Sequence, residues 1–170
     1  MATTPRYYAV TWEELHRDTR ALVGHLMELE RSKRDGWKGM IAITRGGLVP
    51  AAIVAREMEI RLVDTVCIAS YEGDGGETQG ALKILKSIDH IGDGEGWLVV
   101  DDLVDTGETL KAIRDMAPKA HFATVYNKPA GQPLVDSSVI GVSQDTWILF
   151  PWDLQPQSVA PMITDRARVR

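Results

Sequence analysis

A chain of 170 residues suits one domain with a full hydrophobic core, and 44% hydrophobic with 25% charged residues excludes a disordered or fibrous protein. A formal net charge of −5 argues against general affinity for nucleic acid, so an anionic substrate needs local help from backbone dipoles, a few Arg or Lys, or a metal. The single cysteine, Cys67, excludes an intramolecular disulfide and a thiolate metal cluster within one chain.

Met1 to Val10 is polar and lacks the apolar core of a signal peptide, and no apolar run approaches the roughly 20 residues of a spanning helix, so a cytoplasmic protein is expected. Thr11 and Glu14 have the spacing of a capping box, and Leu15, Leu22, Leu26 and Leu29 recur at helical spacing; together they predict a helix from Thr11 to Glu30. Arg31 to Gly36 is a charged break. Met40 to Ile43 reads as a buried strand that ends in Thr44-Arg45-Gly46-Gly47. Leu48 to Met58 reads as a helix that tolerates Pro50 in its first turn. Leu62 to Ile68 reads as a second strand, with Cys67 as a small buried residue in it. Glu72 to Gly80, rich in glycine and polar residues, is expected to be a mobile loop.

Trp97 to Val100 is a third predicted strand and runs into Asp101-Asp102. A helix follows from Thr109 to Met116, stopped near Pro118, then a fourth strand at Phe122 to Tyr126 and a fifth at Ser138 to Val142. Beyond Trp147 the chain reads as proline-rich and irregular, with a basic tail from Arg166 to Arg170. The alternation of strand and helix points to an α/β fold with a mainly parallel sheet, and the lack of a repeat or linker to a single domain over residues 1–170. Ligands bind such sheets at the carboxyl ends of the strands. Segments 44–47, 101–109 and 127–131 each follow a predicted strand and should gather on that edge.

Leu98 to Thr109 carries the most chemistry. An apolar strand delivers Asp101 and Asp102, and a short turn carries Asp105, Thr106, Gly107 and Thr109 into a helix. The turn leaves backbone N–H groups free, the helix adds the positive end of its dipole, and Gly107 lets the backbone approach an anion. With the two Thr hydroxyls this is a cradle for a phosphate monoester that uses no Lys. The adjacent acids would repel such a ligand unless Mg²⁺ or ribose hydroxyls lie between. A P-loop is excluded because no Gly-x-x-x-x-Gly-Lys-Ser/Thr occurs, and Gly92, Gly94 and Gly96 have the wrong spacing and place for a dinucleotide fingerprint.

Val99 to Thr109 resembles the phosphoribosyl pyrophosphate (PRPP) motif of the type I phosphoribosyltransferases. Thr44 to Pro50 is similar to the pyrophosphate loop of the bacterial xanthine-guanine phosphoribosyltransferases within that family. Lys128-Pro129-Ala130-Gly131, Asp145-Thr146-Trp147-Ile148 and Pro151-Trp152-Asp153 resemble its base-binding and C-terminal segments. The likeness covers about residues 8 to 155. It implies a type I phosphoribosyltransferase fold, with a small hood formed by the N- and C-terminal segments. It also implies a Mg²⁺-dependent purine-salvage enzyme that joins guanine or xanthine, and hypoxanthine less well, to PRPP.

The resemblance further implies roles for individual residues. Arg45, Gly46 and Gly47 would bind pyrophosphate. Asp102 would hold Mg²⁺ and Asp101 the ribose hydroxyls. Asp105, Thr106, Gly107, Glu108 and Thr109 would bind the 5′-phosphate, and Asp105 would also handle the proton at purine N7. Lys128, Trp147 and Ile148 would choose the base: the ammonium donates to a 6-oxo group, the indole stacks, and the Ile148 carbonyl accepts from a 2-amino group. Ser70, with Tyr71 and the loop that follows, resembles the family's lid. The Arg that some relatives carry near the end of that loop is replaced by Gln79-Gly80-Ala81, which leaves two alternatives: Lys83 substitutes for it, or the contact is absent. A homotetramer and a peripheral association with the inner membrane are further implications. Two other readings stay open: hypoxanthine-guanine or pyrimidine specificity, and a nucleotide-sensing regulator with the same fold.

Overall fold

The computed structural model describes residues 6–31, 36–70 and 82–153. The expected loop from Glu72 to Gly80, including Gln79, and the basic tail lie outside the described residues. Strand β1 (Arg6–Ala9) leads into helix α1 (Trp12–Arg31). The capping box is present and reciprocal: Thr11 N–H donates to Glu14 Oε2 at 2.8 Å, and Glu14 N–H donates to Thr11 Oγ1 at 3.2 Å. These bonds, the backbone one foremost, hold the Glu14 carboxyl below its ordinary pKa. Leu15, Leu22 and Leu26 are buried, but Leu29 is 39% exposed. Burial stops at Leu26, so the last turn of α1 runs past the core.

Strand β2 (Gly39–Thr44), helix α2 (Leu48–Glu57) and strand β3 (Val63–Ser70) follow, and then strand β4 (Leu82–Lys86). Next come a 3-10 turn at Asp89–Ile91, strand β5 (Trp97–Val104), helix α3 (Glu108–Met116) and strand β6 (His121–Asn127). A second 3-10 turn at Gln132–Leu134 precedes strands β7 (Ser137–Gly141) and β8 (Thr146–Leu149). The main sheet has the order β4-β3-β2-β5-β6-β7, parallel throughout except for the antiparallel pair of β3 and β4.

The period-2 alternation of strands divides the core. Met40, Ala42, Leu98 and Val100 pack with α1 and α2, whereas Ile41, Ile43, Val99 and Phe122 pack with Leu110 and Ile113 of α3. Helices therefore cover both faces. The order also reverses between β2 and β5: β2 leads through α2 outward to β3, and β5 leads through α3 outward to β6 on the other side. The connections after β2 and β5 therefore run to opposite sides at this point, and it is outside the carboxyl ends of such a switch point that open α/β sheets bind ligands in a crevice.

Four expectations need correction. The third strand does not end at Val100 but continues through Asp101 and Asp102, because ladder pairing with β6 runs on to Val104↔Asn127. The stretch around Trp147 is not irregular. Thr146–Leu149 is strand β8, which pairs in parallel with the unforeseen β1 in the register Tyr7↔Trp147 and Tyr8↔Ile148. Strand β4 was also unforeseen; all five of its residues are exposed, so no buried face signals it. Cys67 is half-buried rather than buried, since it lies on β3 next to that uncovered edge.

The β1–β8 pair is fastened to the main body by aromatic and buried polar contacts. Tyr126 of β6 meets Tyr8 edge-on at 6.3 Å and Phe150 at 5.6 Å, and Phe150 stacks on Trp152 at 4.9 Å. The Tyr126 hydroxyl donates to buried Asp18 of α1 at 2.8 Å, which satisfies both groups. Burial, and then this bond, push the Tyr126 hydroxyl pKa upward.

Candidate active site

The loop after β2 and the end of β5 are packed so closely that only glycine fits between them. A Cβ on Gly46 would fall on the Asp102 carboxylate. A Cβ on Gly47 would lie 2.5 Å from the Val100 carbonyl oxygen and 2.7 Å from that of Ile43. The Thr44–Arg45 peptide is cis, and Arg45 is exposed at the mouth of the crevice. Gly47 N–H is committed to Ile43 O at 3.0 Å, and Thr44 Oγ1 donates to Val66 O at 3.1 Å, which anchors the loop to β3.

Beneath this loop the two acids are held by main-chain amides. Asp102 N–H donates to Asp101 Oδ1 at 3.0 Å, and Leu103 N–H donates to Asp102 Oδ1 at 2.7 Å. Burial raises the Asp101 carboxyl well above its ordinary value, and the adjacent Asp102 charge adds to the rise. Burial also raises Asp102, to about 6; the bonds from Asp101 and the Leu103 amide oppose the rise, and the charge of Asp153 adds to it. The two carboxyls titrate as an interacting pair, both raised by burial. Among the described residues no group of three or more His, Cys, Asp or Glu gathers to hold a metal alone. A carboxylate pair nevertheless fits Mg²⁺, which takes one or two protein oxygens and fills its octahedron with water and substrate oxygens.

The turn after β5 has the predicted form. Gly107 precedes α3 in the left-handed region, φ 84°, where a side chain would be strained, and a Cβ there would also overlap Leu134. No side chain caps α3, so its first-turn N–H groups have no side-chain acceptor and face outward with the dipole. Thr106 and Glu108 are exposed and Thr109 is half-buried beside them.

Asp105 does not cap the helix. Its Oδ2 accepts from Lys128 Nζ at 2.7 Å and its Oδ1 from Gln144 Nε2 at 2.7 Å. The Lys128 side chain is 5% exposed and that of Asp105 48%, so the ammonium is buried with its counter-charge at the rim. Lys128 N–H donates to Val104 O at 2.9 Å, and a Cβ on Gly131 would lie 2.7 Å from Asp105 O. The Lys128–Gly131 turn is therefore packed flush against the turn 105–109.

Along β8, Thr146 and Ile148 are buried and Trp147 is 64% exposed, so the indole is a surface face and not a core aromatic. Ser70 is the last residue of β3 and Lys83 the second of β4, in the register Ser70↔Leu82 and Ala69↔Lys83.

The structure thus brings Gly46, Gly47, Asp101 and Asp102 together at the switch point, and the turn 105–109 against Lys128. Gln144 was missed. No motif marks it, and its signal is spatial: the β7–β8 connection crosses over Asp105.

A family profile described as "Phosphoribosyl transferase domain" matches residues 11–158. The chain is 58% identical over 158 residues to a xanthine-guanine phosphoribosyltransferase of Desulfotalea psychrophila, covering 93% of both chains. It is 55% identical over 166 residues to one of Nitratidesulfovibrio vulgaris, covering 96% of both. A purine phosphoribosyltransferase of Pyrococcus horikoshii has a similar structure, with a TM-score of 0.72 at 26% identity over 91% of this chain and 99% of that one. With a switch-point crevice, an uncapped α3 behind Asp105 and these relatives across nearly its whole length, the chain belongs to the phosphoribosyltransferase family.

Proposed function

We propose that this protein is a Mg²⁺-dependent purine-salvage enzyme that transfers the 5-phosphoribosyl group of PRPP to guanine or xanthine, and less well to hypoxanthine, releasing pyrophosphate. One observation carries the reading: the uncapped turn 105–109 and the buried Lys128 share a single carboxylate, Asp105. A phosphate held by the turn then lies beside a cation suited to a 6-oxo group.

In this reading N9 of the base attacks C1′ of the ribose, the C1′–O bond breaks, and its electron pair leaves with pyrophosphate. Asp105 takes the N7 proton as positive charge leaves the ring. Arg45 and the loop of Gly46 and Gly47 bind the departing diphosphate, where charge stabilisation is worth most. Thr106, Gly107, Glu108 and Thr109 seat the 5′-phosphate through amides and hydroxyls. Asp101 holds the ribose hydroxyls and Asp102 the cation. Mg²⁺, held there by Asp102, would supply positive charge that neutralises the departing diphosphate.

Lys128 carries three donors, of which Asp105 takes one, and a 6-amino group would face the ammonium donor to donor. Trp147 stacks on the base, and the Ile148 carbonyl accepts from the 2-amino group. Ser70 and Lys83, at the two ends of the segment 71–81, reach PRPP from the lid side.

The resemblance also supports work in the cytoplasm as a homotetramer, with a weak peripheral attachment to the inner membrane. Among the described residues no helix is long and apolar enough to cross a membrane. The exposed Leu82, Ile84 and Leu85 of β4 suit a subunit contact.

A competition assay with PRPP and Mg²⁺ tests the function. Guanine and xanthine should be consumed ahead of hypoxanthine, and adenine and uracil left. Turnover of adenine or uracil at the guanine rate would overturn the base assignment, and no turnover of any base would overturn the activity.

A further inference from the structure

We propose that Gln144 is a positioning residue for the phosphoribosyl transfer, one that locks the Asp105 carboxylate against the base-side turn so that its remaining lone pairs face the purine. The inference rests on the reading above, in which Asp105 accepts the N7 proton.

Gln144 is exposed, yet both ends of its amide are committed. Nε2 donates to Asp105 Oδ1 at 2.7 Å and Oε1 accepts from Ala130 N–H at 3.0 Å. One side chain therefore joins three segments that are distant in the chain: the phosphate turn after β5, the turn after β6 that carries Lys128, and the connection into β8 that carries Trp147. Holding a long exposed side chain in one geometry costs rotamer entropy, which solvent would otherwise recover.

The geometry also sets what Asp105 can do. A carboxylate offers about four acceptor positions on two oxygens. Lys128 occupies one on Oδ2 and Gln144 one on Oδ1. With a donor on each oxygen the carboxylate plane cannot turn about its last torsion, and the unused positions keep a fixed direction. Lys128 alone would leave that torsion free. The same ammonium must also serve the 6-oxo group with one of its other donors, which draws it towards substrate. Gln144 holds Asp105 by the other oxygen and keeps it in place while Lys128 turns to substrate. Proton transfer is steep in such alignment, and small displacements of a catalytic group cost large factors in rate.

Two substitutions separate the donor from the tether. Gln144→Leu removes both bonds. Gln144→Glu keeps an acceptor for Ala130 N–H but replaces the donor to Asp105 with a second carboxylate. Steady-state kinetics should show kcat with guanine lowered about tenfold in both variants, with KM for PRPP within about twofold of the parent. In an Asp105→Asn background Gln144→Leu should lower kcat no further.

Full turnover in Gln144→Glu would reduce the residue to a loop tether. A multiplicative loss in the Asp105→Asn background would mean that it acts elsewhere, and either result overturns the inference. Failure of the underlying reading looks different: Asp105→Asn itself would then turn over guanine like the parent. Thermal melts of the single variants, expected within about 2 °C of the parent for an exposed site, exclude a folding defect as the cause.

Discussion

The two sides of the crevice are built on opposite plans. In the proposed reading the sugar-phosphate side is one continuous stretch, β5 through the first turn of α3, which offers main-chain amides, a left-handed glycine and two acids inside a buried strand. The base side is assembled from side chains far apart in the chain: Asp105, Lys128, Gln144 and Trp147 come from four separate connections or strands. A backbone site of the first kind is rigid and tolerates little in its neighbours' volume. A side-chain site of the second kind can be retuned residue by residue, which suits the part of an enzyme that chooses among bases.

This contrast can be broken most directly at the acids. Asp102→Asn should lower Mg²⁺-supported turnover by about a hundredfold or more, read by initial rates across Mg²⁺ concentrations; an unchanged rate would remove Asp102 from the metal site. The same variant should be more stable than the parent when metal is chelated. The folded-state pKa of Asp102 is raised to about 6, so the folded protein binds the proton more tightly than the unfolded chain. Its contribution to stability is therefore fully present below the unfolded carboxylate value and is lost as pH rises through about 6. Melting curves should show Asp102→Asn above the parent near pH 7.5, with the gap closing towards pH 5.

Gly47→Ala tests the rigidity of the backbone side. The new Cβ meets two carbonyl oxygens and the Asp101 Cα at 3.0 Å, none of which is the end of a flexible chain. A loss of about 1–3 kcal/mol in denaturant melts is expected, together with a higher KM for PRPP. Lys128→Met tests the side-chain plan: KM for guanine should rise about tenfold and KM for PRPP little, and a matching rise in both would blur the division. Smallest, Thr11→Ala removes the hydroxyl half of the capping box, far from either side. It should cost about 1 kcal/mol of stability in denaturant melts, with unchanged kinetics.

The same contrast explains what could be read in the chain before its structure. The turn 105–109 was legible because its requirements are local: an apolar strand, acids, a glycine and a helix start within a dozen residues. The helices were legible too, since Leu15, Leu22 and Leu26 report one buried face. Strands β1 and β8 were not. Each has four residues, and each is a strand only because the other pairs with it. Strand β4, exposed along its length, has no period to detect. Lys128 and Trp147 were found through the resemblance alone. Spacing said nothing of the 2.7 Å bond from Lys128 to Asp105, and nothing at all of Gln144.

Parallel pairing of β1 with β8 has a consequence for biosynthesis. Domains emerge from the ribosome N-terminus first. Strand β1 is made well before Thr146–Leu149, and it has no ladder partner until that segment follows. The ladder from β2 to β6 takes no strand pairing from that late segment. A nascent chain can therefore lay down the ladder from β2 to β6 while β1 still waits for the strand that will hold it.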